Sequence, residues 1–402
     1  MIKKVLKNIA HFQVNHPFFS ILVVIMLTFM IWGGISQVKT VASLELMMPK
    51  TTEEISAFND LRDAQLGQDM IAIILSVDKN NQLTKPIEDI KDQRVYDYIK
   101  KLNSELSKES DILQIYSYDK IVDMYNKNGM NYNQFIKNAK IPELSSFINN
   151  DDSTTVILIR SDIATDDRRM IMLSNKVKAI VDSMGKPPGI SIKYTGTPII
   201  QQKLGTLITA DRNNTQWIST FLVFLVVVLV FKSISSALIP IIVVFISINW
   251  LYGTMGYLSI PVSTLSGGVA AMVIGIGIDF AIHIMNKFKL ERKKGLAIKE
   301  SVESALTHTG VALFATAATT IAAFLAFLFG QMPEMGRFGL LMTIGIVYSL
   351  IFSIFALPAL LVIEEKMIYF IKDNMRFGVD NEMHLELNKD IKKRMKGKKE
   401  DL

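Results

Sequence analysis

Apolar runs, each long enough to cross a hydrocarbon layer of roughly 30 Å, recur along the chain at about 18–35, 217–231, 237–256, 262–285, 305–329 and 338–363. The second run is short by itself, and the helical-looking segment before it can extend it. A polar stretch from about Gln37 to Asn213 separates the first run from the other five, which follow in quick succession. The pattern predicts one helix, a large water-facing insert, and then five clustered helices.

The insert reads as α/β. MIAIILSV (70–77), ILQIYSY (112–118), TTVILIRSD (154–162) and ISIKYTG (190–196) are rich in β-branched and aromatic residues and predict strands. Helical spacing of apolar residues in QRVYDYIKKLNSELSK (93–108) and DDRRMIMLSNKVKAIVDSMG (166–185) predicts helices, the second stopped at Gly185. Strand–helix–strand occurs twice, which predicts a compact ferredoxin-like sheet with helices on one face. The expected fold class is an α-helical integral membrane protein with six transmembrane helices (1+5) plus an α/β ferredoxin-like extracytoplasmic domain between helices one and two. The expected divisions are a basic amphipathic segment (1–16), the first transmembrane helix (17–36), the outer porter-like domain (37–213), a five-helix membrane domain (214–365) and a basic tail (366–402). Met124, Met130, Met170 and Met172 are expected to fill the insert's core rather than line a groove.

Charge sets the orientation. Lys3, Lys4 and Lys7 precede the first run, and Lys232 lies between the second and third. Between the fourth and fifth lie Lys287, Lys289, Arg292, Lys293, Lys294 and Lys299 against three glutamates, and the tail carries KKRMKGKK (392–399). The opposite loops are nearly bare: Tyr252–Ile260 has no charge, and GQMPEM (330–335) has only Glu334. Basic residues gather on the cytoplasmic side. Both termini are therefore expected in the cytoplasm, with the insert outside a cytoplasmic (plasma) membrane. The first run is span-length without a small-residue cleavage pattern after it, so an anchor is expected rather than a cleaved signal peptide.

Composition adds exclusions. Half of the 402 residues are hydrophobic and the mean hydropathy is +0.29, which fits a mixture of membrane and water-facing parts. The net charge of +6 comes from the ends of apolar runs, so it speaks for topology and against nucleic acid. With no cysteine, disulfides, thiolate metal sites and Cys nucleophiles are excluded. No nucleophile elbow or HExxH accompanies the Ser, His and Asp residues, so no enzyme activity, metal or cofactor is expected.

The candidate chemistry lies in GIGIDFAIHIM (275–285), where an acid and an imidazole interrupt an apolar run. A carboxyl in hydrocarbon costs several kcal/mol unless neutral, paired or hydrated. Thr264, Gly268, Ala271, Gly275, Asp279 and His283 recur at three- and four-residue spacing and share one helical face. Gly268, Ala271, Gly275 and Gly277 are small enough to let another helix approach. A helix entered at Val262 puts Asp279 roughly 25 Å in and about 12 Å from the cytoplasmic end. Asp279 either fixes packing through a hydrogen bond or handles protons, and intramembrane acids favour the second. His283 is equally readable as an interface residue. On the fifth run Thr309, Ala312, Thr316, Thr319, Thr320 and Ala323 offer a matching face, whose hydroxyls relay protons or bond their own helix. The candidate proton relay is Asp279, His283, Thr316 and Thr320. Pro240 and Pro358 are expected to kink the third and sixth runs, and Asn249 to bind another helix.

These stretches resemble the resistance-nodulation-division superfamily, most closely its MMPL and hopanoid-exporter-like lipid transporters. The likeness rests on LELMMPK (44–50), YTGTPIIQQKLGTLITAD (194–211), GIGIDFAIHIMNKF (275–288), FATAATTIAAFLAF (314–327) and PEMGRFGLLMTIGI…LPALL (333–361). It implies proton-coupled export of a lipid or other hydrophobic molecule, with Asp279 taking and releasing the proton and Thr316 and Thr320 as weaker participants. Two departures matter. Typical members have twice as many spans, and many MMPL-like members carry Tyr where this chain has Phe280. A six-span half leaves the small face of the fourth helix without a partner, so a two-fold homodimer is expected, with both Asp279 carboxyls near the axis. Such a pair shares a proton at some pH. Rival readings are a protein-export accessory of the SecD/SecF type, disfavoured because no arginine closely follows the acid, and a sterol-sensing-like sensor or scaffold.

Overall fold

The computed structural model describes residues 2–41, 49, 52–63, 70–78, 87–127, 142–161 and 167–370. LELMMPK therefore lies outside the described residues apart from Pro49, as does the basic tail beyond Phe370. The chain forms two compact units, one of Met1–Thr40 with Thr209–Leu402 and one of Val41–Ile208.

In the second unit, strands β1 (Met70–Val77), β2 (Ile112–Tyr116), β3 (Thr154–Ser161) and β4 (Ile190–Thr195) form one sheet in the order β2-β3-β1-β4, with every neighbouring pair antiparallel. Helix α3 (Gln93–Leu106) connects β1 to β2 and α5 (Asp167–Ser183) connects β3 to β4, while α2 (Glu53–Asp63) precedes the sheet and α4 (Tyr118–Lys127) follows β2. Alternate residues of the paired strands, Ile71 and Ile73 opposite Ile159 and Ile157, share a core with Val95, Ile99 and Leu102 of α3 and Leu173, Val177 and Val181 of α5. Asp92 starts α3 by accepting a hydrogen bond from the Arg94 amide, the usual role of an N-cap carboxylate. Strand β2 ends earlier than its composition predicts, because Tyr118 opens α4 and turns its ring into the core. Core filling by methionine is not what the structure has at Met124 and Met172, both of which are exposed. Met130 and the Met170 side chain fall outside the described residues.

Two tyrosines give this unit an alkaline signature. Burial pushes Tyr98 up to about 12 and Tyr194 up to about 12, with the Asp182 charge adding to each. Unfolded tyrosine titrates near ~10, so the folded state holds these protons more tightly. The stability they contribute is intact below about pH 10 and is lost as the pH rises toward about 12. The Tyr98 hydroxyl has no hydrogen-bond partner among the described residues. Tyr98→Phe is therefore expected to change neutral-pH stability by less than ~0.5 kcal/mol and to flatten the alkaline loss. Thermal melts of the full chain at about pH 7 and about pH 11 check both parts.

All six apolar runs are helical, as Pro17–Ile35, Thr197–Phe231, Ile234–Tyr257, Ser266–Lys293, Ile298–Phe329 and Pro333–Phe370, here called spans one to six. Span two is extended backward as far as Thr197. Gly196 makes that possible: its φ of +109° suits glycine, and a Cβ there would sit 2.1 Å from the Met70 carbonyl oxygen. Spans one and three meet backbone to backbone, since a Cβ on Gly256 would lie 1.7 Å from the Gly34 carbonyl oxygen. Above and below that contact Trp250 Nε1 donates to Thr28 Oγ1 at 2.9 Å and Tyr257 Oη donates to the Met30 carbonyl at 2.8 Å. Asn249 does not reach another helix; its amide donates to the Phe245 carbonyl one turn earlier. Span four starts later than its apolar run suggests. Val262 pairs as a short parallel bridge with Thr40, Thr264 lies in a turn, and a 3-10 turn at Ser266–Gly268 leads into the α-helix at Val269.

Before span one lies α1 (Ile2–Asn15), which buries Leu6, Ala10 and Gln13. Its docking follows from Pro358. A proline lacks the N–H that would bond the carbonyl four residues earlier, and span six breaks its α-helix at Ala356. Gln13 Nε2 donates instead to the Ile354 and Phe355 carbonyls, each at 2.9 Å. Lys7 and His11 hold the same helix to Glu303 at 2.6 and 2.9 Å. Gln13→Leu is expected to cost about 1–3 kcal/mol, since it strands buried carbonyls. A lowered denaturant midpoint and new protease cleavage within 2–15 would register it.

Candidate functional site: the open face of span four

Span four packs on spans three and six through Val273, Ile274, Gly277, Ile278, Ala281 and Met285. Toward its Lys287 end it also packs on the start of span five, and the rest of its circumference is uncovered among the described residues. Gly268, Met272, Gly275, Asp279, His283 and Asn286 are all exposed, and Ala271 is half-buried beside them. A Cβ added at Gly268 or Gly275 would meet nothing within 4 Å. Gly277 differs: its Cβ would lie 2.5 Å from Ser349 Oγ on span six, so it belongs to the closed face inside the chain. The sequence grouped all four small residues, but positions two apart on a helix point about 200° apart.

Asp279 is exposed and makes no hydrogen bond or ion pair among the described residues, and the same holds for His283 one turn further along. The helical run extends from Ser266 to Lys293, which puts Asp279 about 20 Å from its start and about 12 Å before Lys287, the first of its basic residues. The later start shortens the roughly 25 Å expected from a helix beginning at Val262 and leaves the distance to the basic end as expected. At that depth a short carboxyl side chain does not easily reach the headgroups, and it needs a partner or a proton.

The threonines are placed differently. Span five packs on span six through Leu313 and Ala317 and leaves Thr316 and Thr319 exposed, with Thr320 half-buried. Thr316 Oγ1 donates to the Ala312 carbonyl at 3.2 Å, and Thr320 Oγ1 donates to the Thr316 carbonyl at 2.9 Å. Their hydroxyl protons are thus engaged in their own helix, and no hydrogen bond joins them to Asp279. The structure therefore assembles Asp279, His283, Gly268, Ala271 and Gly275 on one surface and keeps Thr316 and Thr320 on another helix.

A buried acid went unread in the sequence. Glu334 sits at the start of span six, only 3% exposed, and accepts a hydrogen bond from Ser263 Oγ. Ser266 joins the group, its hydroxyl accepting from the Ser263 amide at 2.8 Å, and Arg337 Nη1 stands 3.5 Å from the carboxylate. The cluster ties the 3-10 turn before span four to span six. Its signal was Pro333, since proline favours the first helical position and marks a helix start there rather than a loop. A second unread feature is the π-helical turn Ala305–Thr309 in span five.

Six helices long and apolar enough to cross a bilayer define a multi-pass membrane protein. The chain belongs to the MMPL family, whose members it matches over residues 38–375, and with it to the resistance-nodulation-division superfamily. It is 31% identical over 374 residues to a membrane protein of Methanocaldococcus jannaschii, covering 91% of this chain and 95% of that one. It is also similar to the trehalose monomycolate exporter of Mycobacterium tuberculosis, at 25% identity over 190 residues, 46% of this chain and 20% of that protein. With the sulfolipid-1 exporter of the same species the identity is 22% over 197 residues, 47% of this chain and 18% of that protein. The chain thus spans nearly all of the Methanocaldococcus relative and about a fifth of the mycobacterial exporters.

Proposed function

We propose that the protein is a secondary-active exporter of a lipid or other hydrophobic molecule in the cytoplasmic membrane, driven by protons and working as a homodimer. The observation that carries this reading is Asp279, exposed and without a partner among the described residues about 12 Å inside the basic end of a membrane helix, with Gly275 and Ala271 on the same face. An ionised carboxylate against lipid is costly, and a second copy meeting this face covers it. Two-fold symmetry then sets one Asp279 against the other. The pair holds one proton more readily than two charges, so proton uptake and release alternately draw the helices together and push them apart. His283, one turn away, is positioned to pass a proton toward the end of span four nearer Lys287.

Lipid as cargo is supported by the two mycobacterial relatives, which export sulfolipid-1 and trehalose monomycolate. A ferredoxin-like outer domain is supported by the strand order β2-β3-β1-β4 with crossover helices after β1 and β3. The basic residues at the N-terminus and between spans four and five support cytoplasmic termini and an external 37–213 region. The test is flux of fluorescent lipid from proteoliposomes under an imposed proton gradient. Movement that stops when a protonophore collapses the gradient is the expected result; movement indifferent to the gradient refutes proton coupling.

A further inference from the structure

Two grooves flank α1, and neither takes part in the site on span four. The larger, about 580 Å³, runs between α1 and spans one, three and six along Phe12, Val24, Leu27, Trp250 and Ile351. The smaller, about 370 Å³, lies on the other side along Val5, Leu6, Phe314, Leu350 and Ile354. Ile9, Ile351 and Phe355 line both, so the two are lobes separated by α1. The larger has few polar groups on its walls, and two of these have partners: Gln13 bonds the span six carbonyls, and Ser20 Oγ donates to the His16 carbonyl at 3.0 Å. Grooves of this size are typical of ligand sites. Walls made by membrane helices open onto hydrocarbon, so what fills them is hydrocarbon too.

Charge selects the kind of lipid. Helix α1 has Lys3, Lys4 and Lys7 and no acid. Lys7 is taken by Glu303, whereas Lys3 and Lys4 are exposed on the first turn. Lys4 precedes Asn8 by one helical turn and therefore stands on the face that borders the larger groove. A cationic end on an apolar amphipathic helix attracts acidic headgroups.

We propose that the two lobes hold the two chains of one anionic lipid astride α1, with the headgroup at Lys3 and Lys4. Its chains would pack on Phe355 and Ile351, beside the Pro358 break, so the bound lipid and Gln13 secure the same joint. The inference stands independently of proton-coupled export and of which lipid is carried.

Trp250 lines the larger lobe, and the other tryptophans, Trp32 and Trp217, are both exposed. The full chain bearing Trp32→Phe and Trp217→Phe therefore reports the groove through one fluorophore. It is reconstituted in phosphatidylcholine vesicles doped with phosphatidylglycerol, with bromine on the acyl chains of one lipid or the other. At equal mole fraction, brominated phosphatidylglycerol is expected to quench Trp250 several-fold more than brominated phosphatidylcholine. Adding Lys3→Gln and Lys4→Gln should bring the two to the same level while the thermal melt is unchanged. Equal quenching in the parent protein means ordinary surrounding lipid and overturns the proposal. Absence of quenching by either lipid means protein covers the groove, and selectivity that survives the lysine changes overturns the headgroup assignment.

Discussion

Asp279→Asn is expected to leave the protein folded and to reduce gradient-driven lipid flux to that of protein-free vesicles. Both halves follow from the geometry. Asp279 has no partner among the described residues, so removing its charge breaks no contact there, and the change in monomer stability is expected to stay within ~0.5 kcal/mol. Asparagine keeps the size and hydrogen-bonding reach of the side chain but does not take up or release a proton at physiological pH. Asp279→Glu, which restores a titrating group one methylene further out, is expected to recover part of the flux. A sensor or scaffold built on the same helices would instead keep its partner binding with Asn at this position. Flux measured alongside a thermal melt separates loss of coupling from loss of fold.

Gly275→Leu is expected to abolish the dimer without touching the monomer. A Cβ added at Gly275 meets no atom of the described residues within 4 Å. Small residues at membrane-helix contacts allow close backbone approach, and a leucine there holds the partner helix away. The dimer constant should weaken at least tenfold, about 1.4 kcal/mol, and flux should fall with it. The same substitution at Gly277 has the opposite signature, because a Cβ there collides with Ser349 inside the chain and destabilises the monomer. Subunit association measured in detergent by sedimentation or light scattering distinguishes the two variants.

How much of this was readable in advance depends on what each feature rests on. The spans were legible because a helix crossing hydrocarbon has to be apolar over its whole length, and Pro17–Ile35 or Ile234–Tyr257 differ from their runs by a few residues. Strands β1 and β3 were legible because their β-branched runs bury one face against helices. The ends of elements were harder to read. Span four begins at a 3-10 turn because Ser263, Ser266 and Glu334 satisfy one another there, which depends on a residue 71 positions away. Gln13 looked like an ordinary polar residue of an amphipathic helix; its importance comes from Pro358 freeing a carbonyl on another helix. On span four the shared face was visible from spacing alone, and the same spacing sets Gly277 apart from Gly275; what Gly277 meets, Ser349 on span six, only the structure shows. The sequence left open whether the Thr316 and Thr320 hydroxyls relay protons or bond their own helix, and in the structure they donate to the Ala312 and Thr316 carbonyls.

The central claim is that a second copy of this chain completes the open face of span four. The chain has no cysteine, so one introduced thiol reports contact without background. Ala271→Cys, tested in membranes with mild oxidant or a short bifunctional thiol reagent, brings two sulfurs together if the partner Cα atoms lie within about 7 Å. Ala281→Cys, buried against the chain's own helices, is the control. A crosslinked dimer from Ala271→Cys, with none from Ala281→Cys, is the predicted result. Monomer alone from Ala271→Cys and from Gly275→Cys would contradict the dimer.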